Sequence, residues 1–316
     1  MQKTLTSFTP AYNRAHTIGR TYESLCRQTC QDFKWLIVDD GSKDNTKELI
    51  LSWITKDSEF HEISDNEFEG YSGDASWLHI HYCYKENGGL HTGYNKAIEL
   101  MDTEICVCID SDDNMPDDAV EKILSTWSVC KDKGPNVAGI IGLDYIEGKN
   151  EPIGGLFKND QQYLHITDIS RVCQHHGDIK IVCRTDLLKK FAPMPVFKGE
   201  RNGNPIYLYL QVDNDYVFWI INNNLCNVDY QDSGMSANIF NQYYNSPHNF
   251  AALRELIMSQ KRLPFSFRFR NAVHFGSSII FTSEFYRLFK KPLPLLKLLA
   301  FPFAIILNIY IRFRRL

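Results

Sequence analysis

Three carboxylates fall within four residues at Asp110-Ser111-Asp112-Asp113, directly after the apolar run 105–109. Like charges this close destabilise one another unless a cation or strong donors offset them. The cluster therefore reads as a site for a hard divalent ion, Mn²⁺ or Mg²⁺, held by one or two carboxylates together with phosphate oxygens. A solvated acidic turn ahead of a helix near Pro116 is the plainer alternative, and the position at a strand end favours the metal. A calcium loop is excluded. Asp110, Asp112, Asn114 and Glu121 match its liganding positions, but Met115 stands where the sharp turn needs glycine, and a strand precedes the loop.

Asp39 and Asp40 close a second apolar run, 35–38. An acid there can accept from a ribose hydroxyl or a base N–H. A nicotinamide cofactor would need a glycine-rich turn after the first strand, whereas Thr9-Pro10-Ala11-Tyr12-Asn13 has no glycine. Tyr12 offers instead a flat face on which a nucleobase can stack, the alternative being a buried ring.

These clusters need elements to hold them. Apolar runs at 5–8, 35–38, 78–84, 105–109 and 137–145 read as strands. Between them, Ile18/Tyr22/Leu25/Cys26, Leu49/Ile50/Trp53/Ile54, Tyr94/Ala97/Ile98/Met101 and Val120/Ile123/Leu124/Trp127 follow helical spacing. Residues 57–76 are acidic and polar and read as a surface insertion. Alternating strands and helices imply an α/β fold with a mostly parallel sheet and helices on both faces. The polar clusters 9–13, 39–42, 87–89 and 110–113 then share the C-terminal edge of that sheet, where open α/β sheets bind ligands.

Of the 316 residues, 44% are apolar and 23% charged, which excludes collagen-like, disulfide-scaffold and wholly disordered chains. Charge is uneven. Residues 261–316 hold eleven Lys/Arg and one acid, Glu284, while the first 260 residues hold 23 bases and 37 acids. A basic tail on an acidic body points to an anionic surface at one end. The nine cysteines lack metal-ligand spacing, and no secretory pattern opens the chain. Reduced, buried thiols in a cytoplasmic protein are expected.

The segments TPAYNR (9–14), IVDDGS (37–42), NGGLHTGYNKAI (87–98) and CIDSDDNMPDDAVEKI (108–123) closely resemble the family 2 glycosyltransferases, over roughly the first 145 residues. Bacterial members build capsule and other surface polysaccharides. The resemblance implies a GT-A fold, a nucleotide-diphosphate sugar donor, most often a UDP-sugar, and a divalent metal. The implied nucleotide-sugar set is Thr9, Pro10, Tyr12, Asp39, Asp40, Asn87, Gly88, Asp110 and Ser111. Within it Asp40 contacts the base, Pro10 and Tyr12 wall it, and the D-x-D pair Asp110 and Asp112 touches ribose and holds the metal. Close relatives often carry lysine where this chain has Leu90, leaving His91 or Lys96 as basic groups near the phosphates.

Segments 177–191, 197–200 and 228–236 are similar to one branch of the family, where a helix delivers the catalytic base. The acid often found there falls on Pro205, so the candidates for base are Glu200, then Asp213, then Asp215. The expected reaction is sugar transfer with inversion to a hydroxyl of a saccharide or lipid-linked saccharide, with no nucleic-acid partner. A nucleotidyltransferase would want a basic glycine-rich phosphate loop, absent here. Pro205 keeps a second class open, a catalytically silent nucleotide-sugar-binding or scaffold subunit.

Residues 1–260 are expected to form the catalytic domain, split into a nucleotide-sugar half (1–145) and an acceptor half (146–260). Residues 261–316 form a helical, membrane-associating extension. Its apolar run 293–311 is flanked by Lys290-Lys291 and the Arg312/Arg314/Arg315 cluster. About 20 apolar residues are needed to span a bilayer, and Lys297, Asn308, Pro294 and Pro302 interrupt this run. The expectation is interfacial binding at the inner face of the cell membrane ahead of packing on the protein, and packing ahead of spanning.

Overall fold

The computed structural model describes residues 2–56, 59–134, 136–158, 161–229 and 239–315. Packing divides the chain into two units, one of residues 1–88, 92–192 and 215–230, the other of 89–91, 193–214 and 231–316. The division falls elsewhere than at the expected boundary of 260.

The first unit holds a ten-stranded sheet: β1 (Leu5–Ala11), β2 (Phe33–Asp39), β3 (His61–Ser64), β4 (Glu67–Tyr71), β5 (His79–Tyr84), β6 (Ile105–Cys108), β7 (Val137–Ile146), β8 (Tyr163–Leu164), β9 (Ile179–Arg184) and β10 (Val217–Val228). Its spatial order is β3-β4-β5-β2-β1-β6-β9-β7-β10-β8. The four strands β5, β2, β1 and β6 are parallel, as the alternation of elements requires. The expectation of a mostly parallel sheet needs correction, however, because β9 runs antiparallel between β6 and β7, and β3, β4 and β8 are antiparallel additions. The sheet is mixed. The supposed surface insertion 57–76 is where β3 and β4 pair, extending the sheet beyond β5.

Helices α1 (Ile18–Cys26), α2 (Thr46–Trp53), α3 (Leu90–Leu100), α4 (Ala119–Cys130), α5 (Ile169–Val172) and α6 (Thr185–Phe191) connect these strands. The central strands read as unbroken apolar runs because helices cover both faces. Leu5, Phe33, Trp35, Ile37, Ile80, Tyr82, Ile105 and Val107 are buried in one core. Tyr22 of α1 stacks on Trp53 of α2 with ring centroids 4.2 Å apart. Residues 207–221 span two elements, since α7 (Ile206–Val212) ends before β10 begins.

The second unit is helical. Besides α7 it contains α8 (Ile239–Asn245), α9 (Pro247–Ser259), α10 (Phe265–Thr282) and α11 (Pro294–Arg314). Ala251, Met258, Ala272, Phe275, Ile279, Leu296 and Ala300 form its apolar centre. This packing of α9 on α10, and the bond from Gln260 Nε2 to Leu210 O (3.0 Å), explain why residues before 260 group with the tail.

The inward residues of α11 are Leu296, Lys297, Ala300, Ala304, Asn308 and Ile311, a helical stripe. Both polar members have partners there. Lys297 Nζ lies 2.9 Å from Glu255 Oε1, and Asn308 Nδ2 donates to Ser277 O at 3.0 Å. The opposite face exposes Leu295, Leu299, Phe303, Ile306, Ile309 and Phe313. By length and composition α11 could cross a membrane, yet 33% of its apolar window is buried against the protein.

Where α10 meets α11, a Cβ on Gly276 would come within 2.6 Å of Ala304 Cβ. Gly276→Val should therefore destabilise the protein by about 1–3 kcal/mol, the usual cost of overpacking. Gly19, in α1 with open space around it, gives the opposite sign: Gly19→Ala should stabilise by about 0.5–1 kcal/mol. Urea melts of both variants check the pair.

Candidate active site

Strand pairing brings the four sequence clusters to one edge. Pro10 and Ala11 sit opposite Val38 and Asp39, and Phe8 opposite Cys108. Asp40 N then bonds to Ala11 O (2.8 Å), and Asn13 and Ser42 lock the two loops through Asn13 N to Ser42 Oγ (2.8 Å) and Lys43 N to Asn13 Oδ1 (2.8 Å). Tyr12 projects from this edge with 40% of its surface exposed, so its ring is not part of the core.

The two adjacent acids do different work. Asp39 is fully buried and accepts from Ser42 N and the Tyr82 hydroxyl, both at 2.8 Å, which shapes the turn. Asp40 Oδ1 accepts from Gly88 N (2.9 Å), Thr92 Oγ1 (3.3 Å) and the Lys85 ammonium. Asn87 Nδ2 also donates to Asp40 O at 2.7 Å. The loops of Asp40 and Asn87-Gly88 are thus one assembly. Gly41 makes it possible: its φ is +82°, and a Cβ there would sit 2.6 Å from Asn87 N. Thr9 faces away, its hydroxyl accepting the Trp35 indole N–H at 2.9 Å in the core.

In the D-x-D turn, Asp110 is exposed, Ser111 and Asp113 are buried and Asp112 is half-buried. Burial raises the Asp112 carboxyl above its ordinary range, Asp110 adds to this, and Arg14, 3.9 Å from Asp112 Oδ2, opposes it. Arg20 Nη2 donates to Asp112 O (3.1 Å), and Thr21 Oγ1 to Asp113 O (2.7 Å). Among the described residues no group of three or more His, Cys, Asp or Glu is placed to hold a metal by itself. Two hard carboxylates, one of them disfavoured as a bare anion, fit a Mn²⁺ or Mg²⁺ ion that takes its remaining oxygens from a diphosphate and water.

Beneath the turn, buried Lys180 of β9 lies 4.0 Å from Asp113 Oδ2 and 3.7 Å from Asp144 Oδ1 of β7. Burial works against the Lys180 charge, but Asp144, Cys226 and Asp113 outweigh it and keep the ammonium protonated. Burial also lifts Asp113 to about 7 and Asp144 to about 6, with Lys180 opposing both shifts. Lys85, Arg14, Arg20, Lys180 and Asp144 were not among the sequence candidates. Lys85, two residues before Asn87, carried the nearest signal, a cation beside the Asn-Gly-Gly segment.

The candidates for base lie apart from this cluster in sequence and environment. Glu200, in the second unit, is buried, and its carboxylate accepts from His248 N (2.8 Å), His248 Nδ1 (2.6 Å), Asn249 N (2.8 Å) and Asn249 Nδ2 (3.0 Å). It anchors the first turn of α9, whose amides favour an anion. Asp213, also of the second unit, is fully buried at the end of α7, and Pro205 precedes the first residue of that helix. Asp215, in the first unit, is exposed ahead of β10. Of the segment 228–236, residues 230–236 lie outside those described.

Residues 6–133 match the profile of Glycosyl transferase family 2. Over that stretch the chain is similar to the family 2 glycosyltransferases. Chondroitin synthase of Pasteurella multocida is 32% identical over 153 residues, 48% of this chain and 13% of that protein. An uncharacterized glycosyltransferase of Rickettsia typhi is 27% identical over 154 residues, 49% of this chain and 40% of its own length. The chain therefore spans less than half the length of these relatives. Among solved structures, Staphylococcus aureus TarS 1–349 superposes with TM-score 0.57 at 14% identity, over 95% of this chain and 78% of that one. Mannosyltransferase PcManGT of Pyrobaculum calidifontis, in complex with GDP-Man and Mn²⁺, gives 0.53 at 16% identity, over 100% of this chain and 84% of that one. Both likenesses support the GT-A-type fold.

The Asp113–Lys180–Asp144 group gives a pH signature. Carboxyls raised in the folded state bind protons that the unfolded chain has already lost, so their contribution to stability is present below about pH 4 and lost as pH rises through about 6–7. Asp144→Asn should flatten the decline of stability between pH 4 and 7, measured by urea denaturation across that range. A wild-type profile in the variant would show that Asp144 is already ionised.

Proposed function

We propose that the chain is an inverting glycosyltransferase that moves a sugar from a nucleotide-diphosphate donor, a UDP-sugar, to a hydroxyl of a growing saccharide. The observation that carries this is the single assembly of Tyr12, Asp40, Asn87-Gly88 and the D-x-D turn at one sheet edge. Tyr12 stacks on the base, Asp40 accepts from it, and Pro10 completes its wall. Lys85 and Arg14 supply the positive charge that the missing lysine at position 90 does not. Asp112 with Asp110 would hold a Mn²⁺ or Mg²⁺ ion, which would supply neutralisation of the charge that grows on the leaving diphosphate. TarS binds UDP and UDP-GlcNAc in its solved complexes, which supports a UDP-sugar here.

A carboxylate of the acceptor half takes the proton from the acceptor hydroxyl. Glu200 is the first candidate, a buried carboxylate of that half, and Asp213 is the second. The rival reading, a silent donor-binding subunit, predicts nucleotide binding without turnover.

Acceptor-free hydrolysis of UDP-sugars and transfer to saccharide acceptors separate these readings. Asp112→Asn should lower both by about 10²–10³-fold and abolish Mn²⁺-dependent UDP binding. Glu200→Gln should lower transfer by about 10²–10⁴-fold with UDP binding intact. Equal losses in transfer and in melting temperature would reduce Glu200 to the anchor of α9 and move the base to Asp213.

The acceptor is lipid-linked in this proposal, and the second unit lies against the inner membrane face. The exposed apolar face of α11 and the basic tail support that attachment. Leu299→Glu with Ile306→Glu places charge on exposed positions, so folding should be unchanged while binding to anionic vesicles falls at least about tenfold. Unchanged vesicle binding would remove α11 from the membrane.

A further inference from the structure

Among the described residues, the second unit pairs some of its cations with acids and leaves others without one. Arg287 and Lys297 converge on Glu255 at 2.6 and 2.9 Å, and Arg287 also reaches Glu284 at 2.9 Å. Arg254, one residue before Glu255 on α9, has no carboxylate within 4.0 Å among the described residues. Its Nη1 donates to the neutral Asn271 Oδ1 (2.9 Å), the Tyr243 phenol lies beside it, and its Nε is buried without a hydrogen-bond partner. Arg270 of α10 is close enough to oppose its charge, and likewise has no acid, lying 4.8 Å over the Phe267 ring. His274, one turn further along α10, packs on the Tyr243 ring at 5.6 Å.

Burial lowers the Arg254 pKa, the Arg270 charge adding to that, and burial with both arginines pushes His274 down to about 4. His274 is therefore neutral near pH 7. Two guanidiniums close to a neutral imidazole and a phenol, with one guanidinium largely desolvated, make an arrangement that is costly without an anion. A guanidinium fork matches phosphate oxygens two at a time, and two forks suit a doubly charged group better than a carboxylate.

We propose that Arg254 and Arg270, with His274 and Tyr243, bind a phosphate group of the monoester or diphosphate type. This site is separate in sequence from the D-x-D turn, and it rests on the proposed lipid-linked acceptor only for where the phosphate comes from. Its natural source is the phosphate of a membrane lipid, the class of acceptor carrier already inferred, or else free phosphate in solution. Arg312, Arg314 and Arg315, at the end of α11, provide unspecific attraction to any anionic surface.

The test needs neither donor nor transfer, so its outcome is independent of catalysis. The full chain is mixed with phosphatidylcholine vesicles that carry phosphatidic acid, a monoester, or phosphatidylglycerol, a diester, at matched surface charge. Melting temperature is measured in parallel with inorganic phosphate against chloride at equal ionic strength. The wild type should prefer the monoester vesicles at least about tenfold, the scale of one lost charge-assisted pair. Arg254→Gln/Arg270→Gln should abolish the preference and leave phosphatidylglycerol binding within about twofold. Arg254→Lys should retain part of it. If the double variant fails to fold, Arg270→Gln alone decides, because Arg270 is exposed and its loss should still reduce the preference several-fold.

A phosphate-dependent rise in melting temperature, lost in the variant, identifies free phosphate as a ligand. A preference seen only on vesicles identifies the lipid headgroup. Absence of both in the wild type overturns the proposal, as does a monoester preference that survives loss of both arginines or, where only the single variant folds, loss of Arg270.

Discussion

The acidic end of the sheet depends on one buried ammonium. Asp110, Asp112, Asp113 and Asp144 would repel one another at the end of the sheet, and Lys180 stands under them within 4.0 Å of two. From β9, between β6 and β7, it reaches acids on the β6 turn and on β7. Removing a partner from such a buried group is costly because the remaining charge stays desolvated. The exposed face of the turn is thereby left free to present Asp110 and half-buried Asp112 toward solvent, with Arg14 and Arg20 alongside. The charges that face a ligand and the charges that hold the turn are separate sets, drawn from the same four-residue stretch.

The Asp40 assembly follows a similar logic on a smaller scale. Asp40, through its carboxylate and its own carbonyl, and a single glycine join loops that are 45 or more residues apart in sequence. Any ligand that engaged the Asp40 carboxylate would therefore share it with Lys85 and Gly88.

Much of the first half was legible because its elements obey local rules. Apolar runs of four to seven residues alternating with helical stripes fix the parallel strands β5, β2, β1 and β6, and polar clusters at their ends follow from chain direction. The antiparallel placement of β9 was not legible, since its pattern, Ile-Lys-Ile-Val-Cys, reads equally well in either direction. Nor was Lys180's role, because a lysine in a strand carries no local sign of burial. Tail residues misled for the same reason. Lys297 and Asn308 looked like interruptions of an apolar run, whereas they lie on the face that packs against the protein, where Glu255 and Ser277 receive them. The second unit resisted most, because the clearest acid there, Glu200, is held by four donors whose positions no local pattern encodes.

The hairpin of β3 and β4 has a further consequence. Without it β5 would end the sheet, offering six residues with buried Ile80 and Tyr82 and a full row of open backbone groups to any passing strand. With it, the outermost strand is the four-residue β3, fully exposed and carrying His61 and Glu62. The opposite end closes on β8, only two residues long. Short, polar borders of this kind discourage edge-to-edge association of neighbouring molecules. The β3–β4 hairpin thus gives the sheet a short, exposed border in place of the longer, partly buried edge of β5.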